Sequence, residues 1–251
     1  MAMSGRGSHT ACLKSLLNIS NSSARMMKIL LLVLTFQLAV RTGNCDGDIA
    51  MIGVHCSNKL QTRSRVNGKW RLVGGSCCVE SIGVMWDGTL VGVGDDEMLY
   101  TKKSPNVGGW EGPVPNSCCV QDVTLLPDGA ILGVSTDNKL VFRTHIFSEW
   151  HDVPSSVGVV AADVFSDGRI LGVTQSGSLK IRDGIGEDSE WERYAASGVN
   201  VKDISIQPND KVFGVGKSKD SLYVLEEDGN WEEVPDSDCV LSIVSPGNLI
   251  E

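Results

Sequence analysis

The sequence is poor in histidine, with four in 251 residues. It contains neither a CxxC pair nor histidines and carboxylates clustered at metal-ligand spacing, so a structural zinc site is not expected. The motifs of serine hydrolases, zinc proteases, phosphate-binding loops and dinucleotide-binding folds are missing as well. A membrane-spanning helix needs about 20 apolar residues, and the apolar run at 29–40 is shorter. We expect no enzymatic activity, no metal, no cofactor and no membrane insertion.

Acidic side chains are absent from residues 1–45, which carry five basic ones. The remaining residues, 46–251, carry 17 basic and 31 acidic side chains. An acidic body of this size repels nucleic-acid phosphates and anionic lipid headgroups. Neither nucleic acid nor a membrane surface is therefore an expected partner.

Residues 1–45 have the composition of a leader that ends in a secretory signal peptide. Lys28 precedes the apolar run at 29–40, and small and polar residues follow as far as Cys45. A basic residue, an apolar core of about a dozen residues and a small-residue exit are the parts of such a peptide. Cleavage is predicted after Gly43 or Cys45. The body is then secreted and extracellular, where cysteines form disulfides.

The body of the chain is one motif written five times. Tryptophans recur at intervals of 40 or 41 residues, at Trp70, Trp110, Trp150, Trp191 and Trp231. A Gly-Val pair keeps the same phase, at Gly53-Val54, Gly92-Val93, Gly133-Val134, Gly172-Val173 and Gly214-Val215. A fixed period of this length predicts a repeat architecture.

A single unit contains four short β-strand patterns. In residues 119–153 these are VQDVTLL, AILGVS, KLVFRT and WHDV, with turns at Pro127-Asp128-Gly129 and Thr136-Asp137-Asn138. Four hairpin-connected strands in about 40 residues indicate a β-propeller blade. Residues 46–251 show no convincing helical periodicity, and five blades use all of them. We predict an all-β, five-bladed β-propeller with four-stranded antiparallel blades.

The two ends of the body fit together as one composite blade. Residues 49–54 match the second strand of a unit, and residues 240–245 match the first. We predict that the C-terminal strand pairs with three N-terminal strands and closes the ring, which removes an exposed sheet edge. Cys56 and Cys239 then become cross-strand neighbours, so we predict a disulfide that locks the ring closed.

Four further cysteines lie in equivalent connections between units, as Cys77-Cys78 in GSCCV and Cys118-Cys119 in NSCCV. Three states are open for them: disulfides between adjacent residues, disulfides between the two pairs, and free buried thiols. A disulfide between adjacent residues would place a rigid apolar group on the rim of the ring.

Three aspartates, Asp122, Asp163 and Asp203, fall in innermost strands. They align if the Asp163 unit has a slightly shorter hairpin. Three carboxylates around a central tunnel can hold a cation or exchange protons. The interpretation we prefer is that each accepts backbone N–H bonds and recurs because the blade recurs.

The repeated tryptophans also have two interpretations. A tryptophan at one place in every blade is typical of packing, whereas an indole half-exposed between blades offers a stacking surface to the apolar face of a sugar. The polar turns between second and third strands lie on the same rim as the SCCV connections. Their amide and carboxylate groups suit hydroxyl-rich ligands.

Two strings resemble the tectonin and tachylectin type of β-propeller lectin: LVGVGDDEMLYTKK…GGWEGPVP at 90–115 and VFGVGKSKDSLYVL…GNWEEVP at 212–235. The shared pattern is a Gly-Val pair, a polar turn, Leu-Tyr and a later tryptophan. Leu-Tyr occurs at Leu99-Tyr100 and Leu222-Tyr223 but not in the other three units. The resemblance implies a secreted lectin of tectonin-like repeats that binds N-acetylated or methylated sugars of microbial surfaces in innate immunity.

We therefore predict glycan binding at repeated sites between blades, where repetition supplies avidity. The expected carbohydrate contacts are Asp95, Asp96, Tyr100, Trp110, Asp137, Asn138, Trp150, Asp220, Tyr223 and Trp231. Two other functions are alternatives. One is a scaffold whose acidic rim docks a basic protein, and the other is a glycan-processing enzyme that uses the three aspartates. The sequence predicts no particular oligomeric state.

Overall fold

Nineteen β-strands form five antiparallel sheets in residues 49–245, the part of the chain that the computed structural model describes. The predicted leader and signal peptide lie outside these residues. Within them, no helix is of the length and apolarity needed to cross a membrane. The predicted all-β, five-bladed propeller is confirmed.

The strands are numbered in chain order and grouped into blades 1 to 5. Blade 1 contains β1 (Met51–His55), β2 (Leu60–Arg63), β3 (Arg71–Leu72) and the last strand, β19 (Val240–Val244). Blade 2 contains β4 (Val79–Val84), β5 (Leu90–Gly94) and β6 (Leu99–Lys102). Blade 3 contains β7 (Val120–Leu125), β8 (Ile131–Ser135), β9 (Leu140–Arg143) and β10 (His151–Asp152). Blade 4 contains β11 (Ala161–Val164), β12 (Ile170–Val173), β13 (Leu179–Arg182) and β14 (Glu192–Arg193). Blade 5 contains β15 (Val201–Ile206), β16 (Val212–Gly216), β17 (Leu222–Leu225) and β18 (Trp231–Glu233).

Blade 2 departs from the other four in its outer edge. Its sheet has three strands, and the fourth is reduced to a single bridge between Thr101 and Glu111. Each of the other blades has four strands.

Short hairpins join the inner strand of a blade to the second strand. In the hairpin between β7 and β8, Asp128 Oδ1 accepts the N–H of Ala130 at 3.0 Å, and Gly129 has a φ of 87°. This left-handed conformation is open to glycine without steric cost, which explains the repeated Asp-Gly turns. The hairpins at 85–89, 126–130, 165–169 and 207–211 define what we call the hairpin face. The opposite connection face carries the turns between second and third strands and the links between blades.

An apolar cluster fills each of the five seams between neighbouring blades. At the seam between blades 3 and 4, Leu132 and Leu140 pack with Val159 and Ile170. All five residues of β8 are buried, because the second strand lies between neighbouring sheets on both faces. Continuous rather than alternating apolar runs are the expected sequence pattern for such strands.

The ring closes through strand β19. It pairs antiparallel with β1, with Ile52 opposite Val244 and His55 opposite Val240. The predicted disulfide between Cys56 and Cys239 is present, with the two Cα atoms 5.1 Å apart. The composite blade and its covalent lock are therefore as predicted.

The other four cysteines form two disulfides between adjacent residues, Cys77–Cys78 and Cys118–Cys119. Of the three states left open by the sequence, the structure has the first. All four residues are exposed on the connection face, at the links from blade 1 to blade 2 and from blade 2 to blade 3.

Candidate functional site

Each repeated tryptophan lies with its six-membered ring over the glycine of its own Gly-Val pair. A Cβ added at Gly92 would be 2.8 Å from Trp110 Cη2, and one added at Gly214 would be 2.8 Å from Trp231 Cη2. All five tryptophans are half-buried and join the apolar cluster of a seam. The glycine recurs with the tryptophan because the indole occupies the space of a side chain.

The indole nitrogens separate Trp231 from the other four tryptophans. Trp110 Nε1 donates to Ser76 O across the seam at 3.1 Å. Three further indole nitrogens are buried without a hydrogen-bond partner in residues 49–245, those of Trp70, Trp150 and Trp191. The Nε1 of Trp231 makes no hydrogen bond within these residues and is not among the buried polar atoms. Within residues 49–245, Trp231 is the one of the five whose indole N–H is neither hydrogen-bonded nor completely enclosed.

A buried serine orders the connection that covers each of the other seams. Ser117 Oγ donates to Val114 O at 2.6 Å and accepts the N–H of Leu99 at 2.9 Å. The same pair of bonds recurs at Ser76, Ser156 and Ser237. In each of these connections a second buried valine follows six positions after the valine that accepts the serine bond, as Val120 follows Val114 and Val159 follows Val153.

The connection between blades 4 and 5 is one residue longer. It begins at Tyr194, whose N–H donates to Leu179 O at 3.1 Å as the N–H of the corresponding valines does in other blades, and it ends seven positions later at Val201. Its serine, Ser197, is exposed, and its Oγ donates to Asn230 Oδ1 at 2.7 Å. The buried serine turn is thus replaced by a loop that bonds to blade 5, where the N–H of Ser197 donates to Gly229 O at 2.9 Å.

A cavity of about 220 Å³ lies under this loop, and we call it the seam pocket. It is lined by Gly177, Ser178, Leu179, residues 196–200 and Trp231. None of these residues carries a charge. The side chains of Ser178 and Asn200 are exposed, and together with Ser197 they supply hydroxyl and amide groups beside the indole. The pocket can therefore offer both donors and acceptors to an uncharged polar ligand.

The predicted contacts of blade 2 lie together on the connection face. Tyr100 OH donates to Asp96 Oδ2 at 2.8 Å, and this hydrogen bond is the main reason why the pKa of Tyr100 is raised. The Tyr100 ring lies over Gly94, and the Trp110 ring lies over Gly92. Since residues two apart share one face of a strand, the two rings lie side by side on β5. Asp95 is exposed next to them.

The predicted contacts of blades 3 and 5 are mostly engaged within their own blades. Asn138 Oδ1 accepts from Gln121 Nε2 at 3.0 Å, and Asp220 Oδ1 accepts from Lys202 Nζ at 2.5 Å. Of three more predicted contacts, Asp137 is exposed, whereas Tyr223 is buried over Gly216. Trp150 is half-buried, and its Nε1 is enclosed.

The three inner-strand aspartates do not lie on one level. Asp122 and Asp203 hold equivalent places, opposite Val134 and Val215, but Asp163 lies opposite Leu171, two residues further along its strand. The condition for their alignment, a shorter hairpin in the Asp163 unit, is not met, because residues 165–169 form a turn of the same length as residues 126–130. Ala161 takes the place equivalent to Asp122.

Each of these carboxylates ties its strand to neighbouring blades. Asp163 Oδ1 accepts from Thr124 Oγ1 at 2.5 Å, and its Oδ2 accepts the N–H of Ile206 at 2.6 Å. Asp122 and Asp203 likewise accept a backbone N–H from the following blade. Burial raises the pKa of all three, that of Asp163 to about 6. These bonds agree with the structural interpretation preferred from the sequence.

Sequence reasoning did not find Ser178, Ser197 or Asn200. The signal was present, because the distance from the end of one blade to the start of the next is seven positions between Tyr194 and Val201 and six elsewhere. The tryptophan spacing does not reveal it, because the change lies between landmarks.

The architecture defines the class of protein as a five-bladed β-propeller. No protein-family model matches the chain, and no curated protein matches its sequence. Among solved structures, it is similar to a proposed gluconolactonase at 13% identity and a TM-score of 0.52, over 78% of this chain and 79% of that one. It is also similar to YCF48 bound to a D1 peptide, at 11% identity and a TM-score of 0.41, over 75% and 68% of the two chains. A third similar structure is the extracellular domain of a proposed one-component system from B. thetaiotaomicron, at 13% identity and a TM-score of 0.42, over 74% of this chain and 28% of that one. At these identities the first likeness concerns the fold alone.

Proposed function

We propose that the chain is a carbohydrate-binding protein and that the seam pocket between blades 4 and 5 is its sugar site. The observation that carries the proposal is the indole N–H of Trp231, which has no partner in residues 49–245 and belongs to a residue that lines a polar, uncharged cavity. At the other four seams the equivalent nitrogen is bonded or buried.

The chemistry of the lining suits a sugar. The surface of the pocket is mostly polar, and the six-membered ring of Trp231 packs over Gly214, so the indole can offer a sugar the N–H donor at its edge. Ser178, Ser197 and Asn200 place hydroxyl and amide groups around the same space. A site built from neutral donors and acceptors favours hydroxyl and acetamido groups over phosphate or carboxylate.

The size of the cavity limits what it holds. Pockets for drug-sized ligands enclose roughly 300–1,000 Å³, and the seam pocket encloses about 220 Å³. We therefore propose that it takes one terminal sugar residue of a larger glycan. The resemblance to tectonin-type lectins points to N-acetylated or methylated sugars of microbial surfaces, bound by a secreted protein. The other predicted contacts, such as Asp96 and Tyr100, would then be weaker secondary sites.

The test is a titration with N-acetylglucosamine followed through the indole N–H resonances in ¹H–¹⁵N correlation spectra. The Trp231 resonance, assigned with Trp231→Phe, is expected to shift with the sugar, while that of Trp191 stays in place. Trp231→Phe removes the N–H donor and is expected to weaken binding by about tenfold, measured by calorimetric titration because this variant lacks the reporter resonance. Trp191→Phe is the matched control, because it removes an equivalent but buried nitrogen.

A glycan array on residues 46–251 extends the test beyond one sugar. Binding to N-acetylhexosamine-terminated glycans that is lost in Asn200→Ala supports the proposal. Silence on every glycan, including bacterial polysaccharides, would overturn it, as would a shift confined to tryptophans other than Trp231.

A further inference from the structure

A second cavity, of about 410 Å³, opens at the centre of the hairpin face. All five inner strands contribute to its wall, through Val84, Thr124, Asp163, Ile206 and Val244. The cavity therefore lies on the axis of the ring, and we call it the axial pocket. It is at the opposite face from the seam pocket, since inner-strand hairpins and blade connections lie at opposite ends of antiparallel blades.

Trp86 stands at the mouth of this pocket. It is the one tryptophan outside the 40-residue period, and 59% of its surface is exposed. The hairpin does not require it, because Pro127, Ser166 and Pro208 hold the equivalent position in other blades. Its Cδ1 edge lies against the neighbouring hairpin, 3.1 Å from where a Cβ on Gly129 would be. One edge of the indole thus packs on the Gly129 turn, and most of its remaining surface is exposed beside the pocket.

The charges of the axial pocket have one sign. Of the residues in 49–245 that line it, Asp87 and Asp163 are the ionisable ones and none is basic. Most of the remaining wall is apolar, including Met85, Leu126 and Phe165. Asp163 Oδ2 accepts a single hydrogen bond, from Ile206, among residues 49–245, so one of its two lone pairs is free for a ligand.

From this arrangement we infer that the axial pocket binds an organic cation, a protonated or quaternary amine with an apolar body. The positive group lies between the carboxylate of Asp163 and the indole of Trp86, and the apolar body contacts Met85, Leu126 and Phe165. Among aromatic side chains, the indole of tryptophan attracts a cation to its ring face most strongly. A carboxylate in a partly enclosed site attracts it more than one in bulk water does.

The experiment uses three benzyl or phenyl compounds of similar size and different charge: benzyltrimethylammonium, benzyl alcohol and benzenesulfonate. Each is titrated into the protein while the indole N–H resonance of Trp86, assigned with Trp86→Phe, is followed. We expect the cation to shift this resonance and to bind at least about tenfold more tightly than the alcohol. The sulfonate is expected to leave the resonance unchanged.

Two charge variants distinguish the pocket from the general acidity of the chain. Asp87→Asn removes a lining carboxylate, whereas Asp128→Asn removes one that makes the same hairpin bond outside the lining. Both change the net charge equally. Asp87→Asn is expected to weaken binding of the cation about threefold and Asp128→Asn to leave it unchanged, while Asp163→Asn and Trp86→Leu each weaken it at least about fivefold. Calorimetric titration supplies the affinity of Trp86→Leu, which lacks the reporter resonance.

Equal weakening by Asp87→Asn and Asp128→Asn would overturn the inference, because the cation would then respond only to net charge. Equal affinity for the cation and the alcohol would overturn it too. Because Trp86 is mostly exposed, Trp86→Leu keeps the test decisive even if Asp163→Asn perturbs the fold. The outcome is independent of the sugar site, which is read through Trp231.

Discussion

The ring of Tyr100 fills the space directly above Gly94, where an added Cβ would lie 2.8 Å from Tyr100 Cε2. Tyr223 and Gly216 have the same relationship in blade 5. The other three blades have His55, Ser135 or Thr174 in place of this second glycine and no tyrosine in the third strand. The Leu-Tyr motif and the Gly-Val-Gly string therefore depend on each other through packing.

Gly94→Ala is expected to destabilise the protein by about 1–3 kcal/mol, because the tyrosine ring must move or the strand must shift. Gly74→Ala is the control, since nothing lies within 4 Å of a Cβ at that position. The free energies of unfolding come from urea titrations monitored by circular dichroism. Equal free energies of unfolding for the two variants would show that the Tyr100 ring can move aside without destabilising the protein.

The double variant Cys56→Ser, Cys239→Ser is expected to lose about 2–5 kcal/mol of stability, because the disulfide restricts a long loop of the unfolded chain. The sequence separation of the two cysteines is 183 residues. Replacing Cys77 and Cys78 together is expected to cost far less, since a bond between neighbours closes no loop. Thermal unfolding of both variants by calorimetry measures the contrast, and similar losses would contradict it.

The raised pKa of the Asp163 carboxyl predicts that stability depends on pH. Its pKa of about 6 exceeds the ordinary value of 3.8, so between these values the folded chain holds more protons than the unfolded chain. Stability then falls as pH rises through this window, by at most about 1.4 kcal/mol per pH unit for one group. Asp163→Asn removes this contribution, whereas Asp122 and Asp203 keep theirs. The melting temperature should therefore fall more from pH 4 to pH 6.5 in the wild type than in Asp163→Asn. Equal falls in the two proteins would show that Asp163 is not the group responsible.

The two kinds of serine in the connections should behave differently. Ser117→Ala leaves the buried Val114 O and Leu99 N–H without the hydroxyl they share, and we expect a loss of about 1–3 kcal/mol. Ser197→Ala, at an exposed residue, is expected to change the free energy of unfolding by less than about 0.5 kcal/mol. It is also expected to weaken the binding of N-acetylglucosamine. Denaturant titration and the sugar titration together check the pair. A large loss of stability in Ser197→Ala would mean that its loop is structural.

Much of the fold could be predicted because its determinants repeat. Trp110 and Gly92 contact each other in the same way as four other tryptophan–glycine pairs, so the same packing contact is encoded five times in the sequence. The phase of residues 240–245 against residues 49–54 then implied the composite blade, and this blade placed Cys56 beside Cys239.

What the repeat does not determine could not be predicted from it. Asp163 was assigned to the wrong level because its distance from Gly172 was attributed to the hairpin, whereas the hairpin is constant and the residue itself has changed place. The seam pocket depends on one added residue between Tyr194 and Val201, whose effect on packing cannot be seen without coordinates. Trp86 was overlooked because it belongs to no repeated position.

The pairing of β19 with β1 also has a consequence for biosynthesis. A ribosome releases β1 early and β19 only after eighteen other strands, so β1 spends most of translation without its inner neighbour. An unpaired strand edge of this kind invites association with other chains. A product that stops short of residue 240 would lack β19 and leave the edge of β1 permanently unpaired, so we expect it to aggregate more readily than a product that contains β19.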